Sequence, residues 1–72
     1  MYSIYTGDRV VFGGKKYWVS WVGFTFPTTW YILVVDKNDV GLMRDSLERK
    51  YPILGDDSHM WLIAVDDEIE VV

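Results

Sequence analysis

Val10-Val11-Phe12-Gly13-Gly14-Lys15-Lys16-Tyr17-Trp18-Val19-Ser20-Trp21-Val22 begins the stretch that decides the fold, and Trp30-Tyr31-Ile32-Leu33-Val34-Val35 completes it. β-branched and aromatic side chains fill these runs, as suits a pleated, half-buried surface. Gly13-Gly14 supplies the positive φ of a tight hairpin, and Lys15 and Lys16 keep that turn in water. The reading is strand, tight turn, strand, loop, strand. It argues for a small antiparallel sheet.

Within the second strand, Lys16 to Val22, period-two alternation puts Tyr17, Val19 and Trp21 on one face. Trp18, Ser20 and Val22 take the other. Neither set is plainly polar, so either both faces are covered or one carries an aromatic patch. Gly23 to Thr28 interrupts the pattern and reads as a loop, since Pro27 cannot donate to a ladder and restricts Phe26 before it. Phe24 and Phe26 are unusual there. The favoured reading tucks them back as a lid on the core; the alternative presents them to a partner.

Working outward, Met1 to Thr6 alternates loosely, as a short edge strand would, and Gly7-Asp8 turns the chain into Arg9–Phe12. Trp30 to Val35 is the most apolar run and reads as a central strand. Asp36-Lys37-Asn38-Asp39 is a polar turn, from which Val40 to Arg44 is expected to return antiparallel. Asp45-Ser46-Leu47-Glu48 has the form of a capping box with Asp45 as N-cap. It predicts a short helical turn over 45–50, bounded by Pro52. Leu54 to Ser58 is a loop by composition. Met60 to Val65 is a further strand, Asp66-Asp67 a turn, and Glu68 to Val72 an acidic edge strand whose charges discourage edge-to-edge association. Five or six short antiparallel strands with tight turns predict one all-β domain over residues 1–72, curled into a closed or nearly closed barrel.

Length and composition narrow the function. With 72 residues the chain buries only about 60% of its unfolded surface, so reinforcement matters. There is no cysteine and a single histidine, which excludes disulfides and makes an all-protein zinc site implausible. What remains is a core rich in large side chains: half the residues are hydrophobic, among them four Trp, five Tyr and three Phe. The first residues have neither the basic region nor the apolar run of a signal peptide, and no apolar segment approaches a membrane span. A cytoplasmic protein is expected.

Net charge is −4 and unevenly spread. Residues 1–36 hold three basic and two acidic side chains; residues 37–72 hold four basic and nine acidic. A nucleic-acid partner normally requires a basic face, so the balance argues against one. Asp36 to Gly41 superficially matches the start of a calcium loop, but Val40 and Leu47 stand where oxygen ligands are required. Asp57-Ser58-His59 holds the residue types of a hydrolase triad without the converging geometry a triad needs. The acids Asp56, Asp57, Asp66, Asp67, Glu68 and Glu70 read first as a solvated face, and second as a surface that docks on a basic partner or imitates nucleic acid. Trp18, Trp21, Trp30 and their aromatic neighbours read as core plus interface. A methyl-lysine cage closed by Asp8 or Asp36 is the alternative.

Gly7-Asp8-x-Val10, Gly14-Lys15-x-Tyr17-x-Val19, then Gly41-Leu42 and the helical turn over 45–50 resemble an SH3-like small barrel with a Tudor- or KOW-type start. They also resemble small accessory proteins of bacteriophages. The resemblance covers roughly residues 7–50 and rests on turns and alternation, so it carries no site residue with it. It implies a module that binds, and that modulates or inhibits a host protein in the host cytoplasm. The residues that point to such contacts are Trp18, Phe24, Phe26 and Trp30 as aromatic anchors, with Asp66, Asp67 and Glu68 steering association. No catalysis and no cofactor are expected, and a second copy of the chain is one candidate partner. Two other readings stay open: a nucleic-acid-binding barrel using Arg9, Lys15, Lys16 and Lys37, and a small hydrolase or nuclease, which would need carboxylates clustered around a metal.

Overall fold

The computed structural model describes residues 4–52 and 60–72. Five strands form one antiparallel sheet: β1 (Arg9–Phe12), β2 (Lys15–Thr25), β3 (Thr28–Val34), β4 (Trp61–Val65) and β5 (Ile69–Val71). Their hydrogen-bonded order is β4-β3-β2-β1-β5. One helix, α1 (Arg44–Lys50), and two 3-10 turns, Lys37–Asp39 and Asp66–Glu68, complete the described chain. No helix among the described residues is long and apolar enough to cross a membrane.

The β1–β2 turn is the one expected from Gly13-Gly14. Both glycines have positive φ, 60° and 80°, which lets a two-residue connection match the strands' twist. The last strand returns to pair with β1, Phe12 opposite Ile69. β4 and β5 therefore lie at opposite ends of the hydrogen-bonded order, joined only by residues 66–68. In a flat sheet the outermost of five strands stand about 19 Å apart. Four Cα steps from Val65 to Ile69 span at most about 14 Å when fully extended, and a 3-10 turn is shorter still. The sheet must curl, which makes the fold a small compact all-β one.

Curling seals the inner face. Val10, Tyr17, Val19, Tyr31, Leu33, Ala64 and Ile69 bring all five strands into one buried cluster, which Ile4 joins. The outer face is covered differently: Ile32 and Val34 pack against Leu47 of α1, with Val40, Leu42 and Tyr51 from the same crossing segment.

Five expectations about the elements need correction. First, β2 does not alternate evenly. Val19 pairs with Leu33 and Trp21 with Ile32, so Ser20 is an extra, unpaired residue. Trp21 consequently shares the face of Trp18, and Val22 that of Val19. Second, Gly23 to Thr25 are strand, and Phe26-Pro27, joined by a cis peptide, is the whole β2–β3 connection. Gly23 is no breaker: a Cβ there would lie 2.1 Å from Cζ2 of Trp30, its cross-strand partner, so only glycine admits that ring. Third, Val40 to Arg44 is not a strand. The buried Ser20 hydroxyl lies 2.7 Å from the Leu42 carbonyl and accepts from the Gly41 N–H at 3.1 Å, while Gly41 takes φ 96°. The bulge thus captures this backbone and turns it across the sheet. Fourth, the helix starts at Arg44 after Met43, with no side-chain cap; Glu48 pairs with Arg44 instead of closing a capping box on Asp45. Fifth, Ile4 to Thr6 adds no strand. The loop at 54–58 and the Asp57-Ser58-His59 constellation lie outside the described residues.

Candidate functional site

Three cross-strand rows cross the outer face from β2 through β3 to β4. They are Trp18–Val34–Trp61, Trp21–Ile32–Ile63 and Gly23–Trp30–Val65. The first row lies under the segment that carries α1. There Val34 and Leu47 are fully buried and Trp61 is half-buried. The cover then stops. Trp21, Ile63 and Met43 are each at least 40% exposed, and Val65 nearly as much. An open groove of about 420 Å³ results, lined by Trp30, Ile32, Met43, Ile63 and Val65, with Thr25, Thr28 and Arg44. The Trp30 indole lies across Gly23, and its Nε1–H donates to Thr25 Oγ1 at 3.2 Å.

A second cleft of about 340 Å³ adjoins it, lined by Pro27, Thr28, Thr29, Val65, Asp66 and Asp67. Thr28 and Val65 line both. The acidic turn is fixed there by Tyr31, whose hydroxyl donates to Asp66 Oδ1 at 2.9 Å. Asp66, Asp67 and Glu68 are all exposed, and Glu68 lies beyond the cleft's lining. At the hairpin tip Phe24 and Phe26 meet edge to face, centroids 6.4 Å apart. They are 63% and 85% exposed, which overturns the lid reading. Phe26 sits in a two-residue connection with no slack to fold back over the core, and Phe24, paired with Thr29, lies beyond Val22 and Tyr31 near the end of the hairpin.

The structure therefore brings Phe24, Phe26, Trp30, Asp66 and Asp67 to one end of the molecule. Trp18 stands apart. Its row is the covered one, and the Arg9 guanidinium and Lys37 ammonium approach its ring centroid at 4.4 and 5.2 Å. Such cation–π contacts occupy the ring within the chain itself. Tyr17 and Tyr31 are buried, Asp8 accepts from the Tyr5 N–H, and Asp36 accepts from the Asn38 N–H. Of the groups suggested for a methyl-lysine cage, the two tyrosines are thus buried on the inner face while the tryptophans lie on the outer one. Met43, Ile63 and Val65 were missed by sequence reasoning. Their exposure depends on where the crossing segment ends, which no local pattern encodes.

That segment is held by a buried charge. Asp39 is fully buried and accepts from the Lys50 ammonium and, at 2.6 Å, from the Tyr51 hydroxyl. Burial alone pushes its carboxyl pKa up, but these hydrogen bonds and the Lys50 charge outweigh it and hold it below its ordinary 3.8. The Asp39 hydrogen bond in turn raises the pKa of Lys50 and of Tyr51. Among the described residues no three acidic or histidine side chains converge as metal ligands.

Comparison with protein-family models, with curated proteins and with solved structures finds no match to this chain.

Proposed function

We propose that this protein is a non-catalytic binding module that engages a partner protein through the end formed by the β2–β3 hairpin and the acidic turn. The observation that carries the reading is the bare Phe24–Phe26 pair beside Asp66 and Asp67. Large aromatic rings held in water by a rigid turn are poor for solubility and good as anchors. They bury much area at little conformational cost when a partner's pocket receives them. The neighbouring carboxylates speed encounter with a basic surface and disfavour an acidic one. Strand order β4-β3-β2-β1-β5, with a 3-10 turn before the last strand, supports an SH3-like barrel as the framework. A phage-type accessory role, binding and modulating or inhibiting a host protein in its cytoplasm, belongs to the same proposal and rests on the sequence resemblance. The test is quantitative capture from host lysate by the wild type and by a Phe24→Ser/Phe26→Ser variant. The variant is expected to keep its melting temperature and lose the captured protein; capture that survives in full overturns the reading.

A second reading has one observation in its favour. By register Arg9, Lys16 and Trp18 share the outer face, and Lys37 joins them over the Trp18 ring. This small basic patch with an aromatic centre is a place for a nucleic-acid backbone. A gel-shift titration at low salt that shows no binding removes it.

A further inference from the structure

The two edge strands of the sheet are unlike. β5 has three residues with Glu70 at its centre, directly after the acidic turn, which guards it against strand pairing. β4 is longer, Trp61-Leu62-Ile63-Ala64-Val65, and holds no charge and no proline. Among the described residues nothing pairs with its outer side. On the outer face its Ile63 and Val65 line the open groove together with Trp30, Ile32 and Met43. Directly after Val65 the chain enters the Asp66–Asp67 cleft. Arg44, the single cation in the groove's lining, is paired with Glu48 at 3.0 Å. Among the described residues an unpaired backbone edge, an apolar trough along it and carboxylates at its end are therefore contiguous.

We infer that β4 receives an extended segment of a partner protein as an added strand. One apolar side chain of that segment fills the groove, and a Lys or Arg lies at the Asp66–Asp67 turn. Backbone pairing supplies affinity without regard to sequence, while groove and carboxylates supply selection by alternate side chains. The occupant is basic because the charge at the strand's end is acidic, and extended because only an extended backbone can pair with the edge. This inference rests on the protein-binding reading but uses a different surface, the β4 edge, from the Phe24–Phe26 tip.

The probe is a synthetic peptide of about ten residues, alternating threonine and valine around a central leucine, with lysine at both ends. Its controls are a glutamate-ended twin and a twin N-methylated along one edge, which cannot donate to β4. Titration into the protein is followed by amide and indole NMR shifts at low salt. Shifts are expected at Ile63, Val65 and the Trp30 Nε1–H. Affinity is expected to fall at least tenfold for either twin, and at least tenfold in Ile63→Lys or Val65→Lys with the lysine-ended peptide. Equal binding of the N-methylated twin, or shifts centred on Trp18, overturns the inference. So does slow exchange of the outward β4 amides in the free protein, or a dimer that Ile63→Lys dissociates. Either would show the edge already filled, by residues 53–59 of the chain itself or by a second copy. Failure of the peptide while Phe24/Phe26-dependent capture persists removes only this inference. Capture that survives in full in the Phe24→Ser/Phe26→Ser variant removes the tip reading and leaves the peptide result standing.

Discussion

The two halves of the sheet's outer face have nearly the same composition and opposite fates. Trp18, Val34 and Trp61 at one end are as apolar as Trp30, Ile63 and Val65 at the other. The first half is roofed by the segment from Asp36 to Tyr51; in the second, Trp30 still packs against the roofed cluster while Ile63 and Val65 are open to water. Hydrophobicity did not decide which half was covered. Polar anchors did: Ser20 grips the backbone at 39–42, and Asp39 draws in Lys50 and Tyr51. The groove begins where this roof ends. Structure and candidate function are thus drawn by the same few hydrogen bonds.

If so, damage to the roof and damage to the open half should separate cleanly. The largest effect is expected from Leu47→Ala. Leu47 is the helix's sole fully buried side chain among the described residues, and its loss should cost about 3 kcal/mol in urea unfolding. Asp39→Ala should follow at about 2 kcal/mol, the scale for hydrogen bonds to a buried charged acceptor; the half-exposed Lys50 adds little to that figure. The same residue predicts a pH dependence. Its folded pKa is depressed, so its contribution is present above the ordinary 3.8 and is lost as pH falls through the lower folded value. Lys50, with a raised folded pKa, contributes below its ordinary 10.5 and loses that contribution as pH rises through the folded value. Tyr51, raised from 10.0, loses its contribution in the same direction, so this cluster is expected to contribute a constant amount between 3.8 and 10.0, and Asp39→Asn should reduce the acid-side fall. Thermal unfolding across pH measures both.

Gly23→Ala comes next. The added methyl group collides with the Trp30 ring, so the indole must leave its place along the groove, at about 1 to 2 kcal/mol. The Trp30 Nε1–H resonance should move as its bond to Thr25 is lost. An unmoved resonance would mean that the ring does not rest on Gly23. Smallest in stability, Phe24→Ser/Phe26→Ser should stay within about 0.5 kcal/mol of the wild type, because both rings are already in water. A large destabilisation there would show that the tip is part of the fold, and the contrast between closed and open regions would fail.

Much of this architecture was legible along the chain because its signals are local. Gly13-Gly14 marks its hairpin, Pro52 ends the helical segment, and Asp66-Asp67 marks a turn, each through backbone chemistry confined to a few residues. What was misread depends on partners distant in sequence. Ser20 looks like one more alternating position, and only its bonds to residues 39–42 make it a bulge. Gly23 looks like a breaker until Trp30 is placed across it. Val40 and Leu42 alternate as a strand would, yet they are pegs that fasten the roof to the outer face. The site divides the same way. Phe24, Phe26 and the acids at 66–68 stood out by type, whereas Met43, Ile63 and Val65 are ordinary apolar residues that matter because nothing among the described residues covers them.

Ser20 also changes what a deletion would mean. Removing one residue from a strand ordinarily turns everything beyond it inside out. Here the surplus residue is already out of phase, since Val19 and Trp21 face consecutive residues of β3. A chain lacking Ser20 would read as an unbroken ladder, with Trp21, Gly23 and Phe24 all on the sides they occupy now. The sheet would not notice the loss. The strap from 39 to 42 would, having lost its buckle, and the groove it borders would be free to widen along the whole length of the outer face.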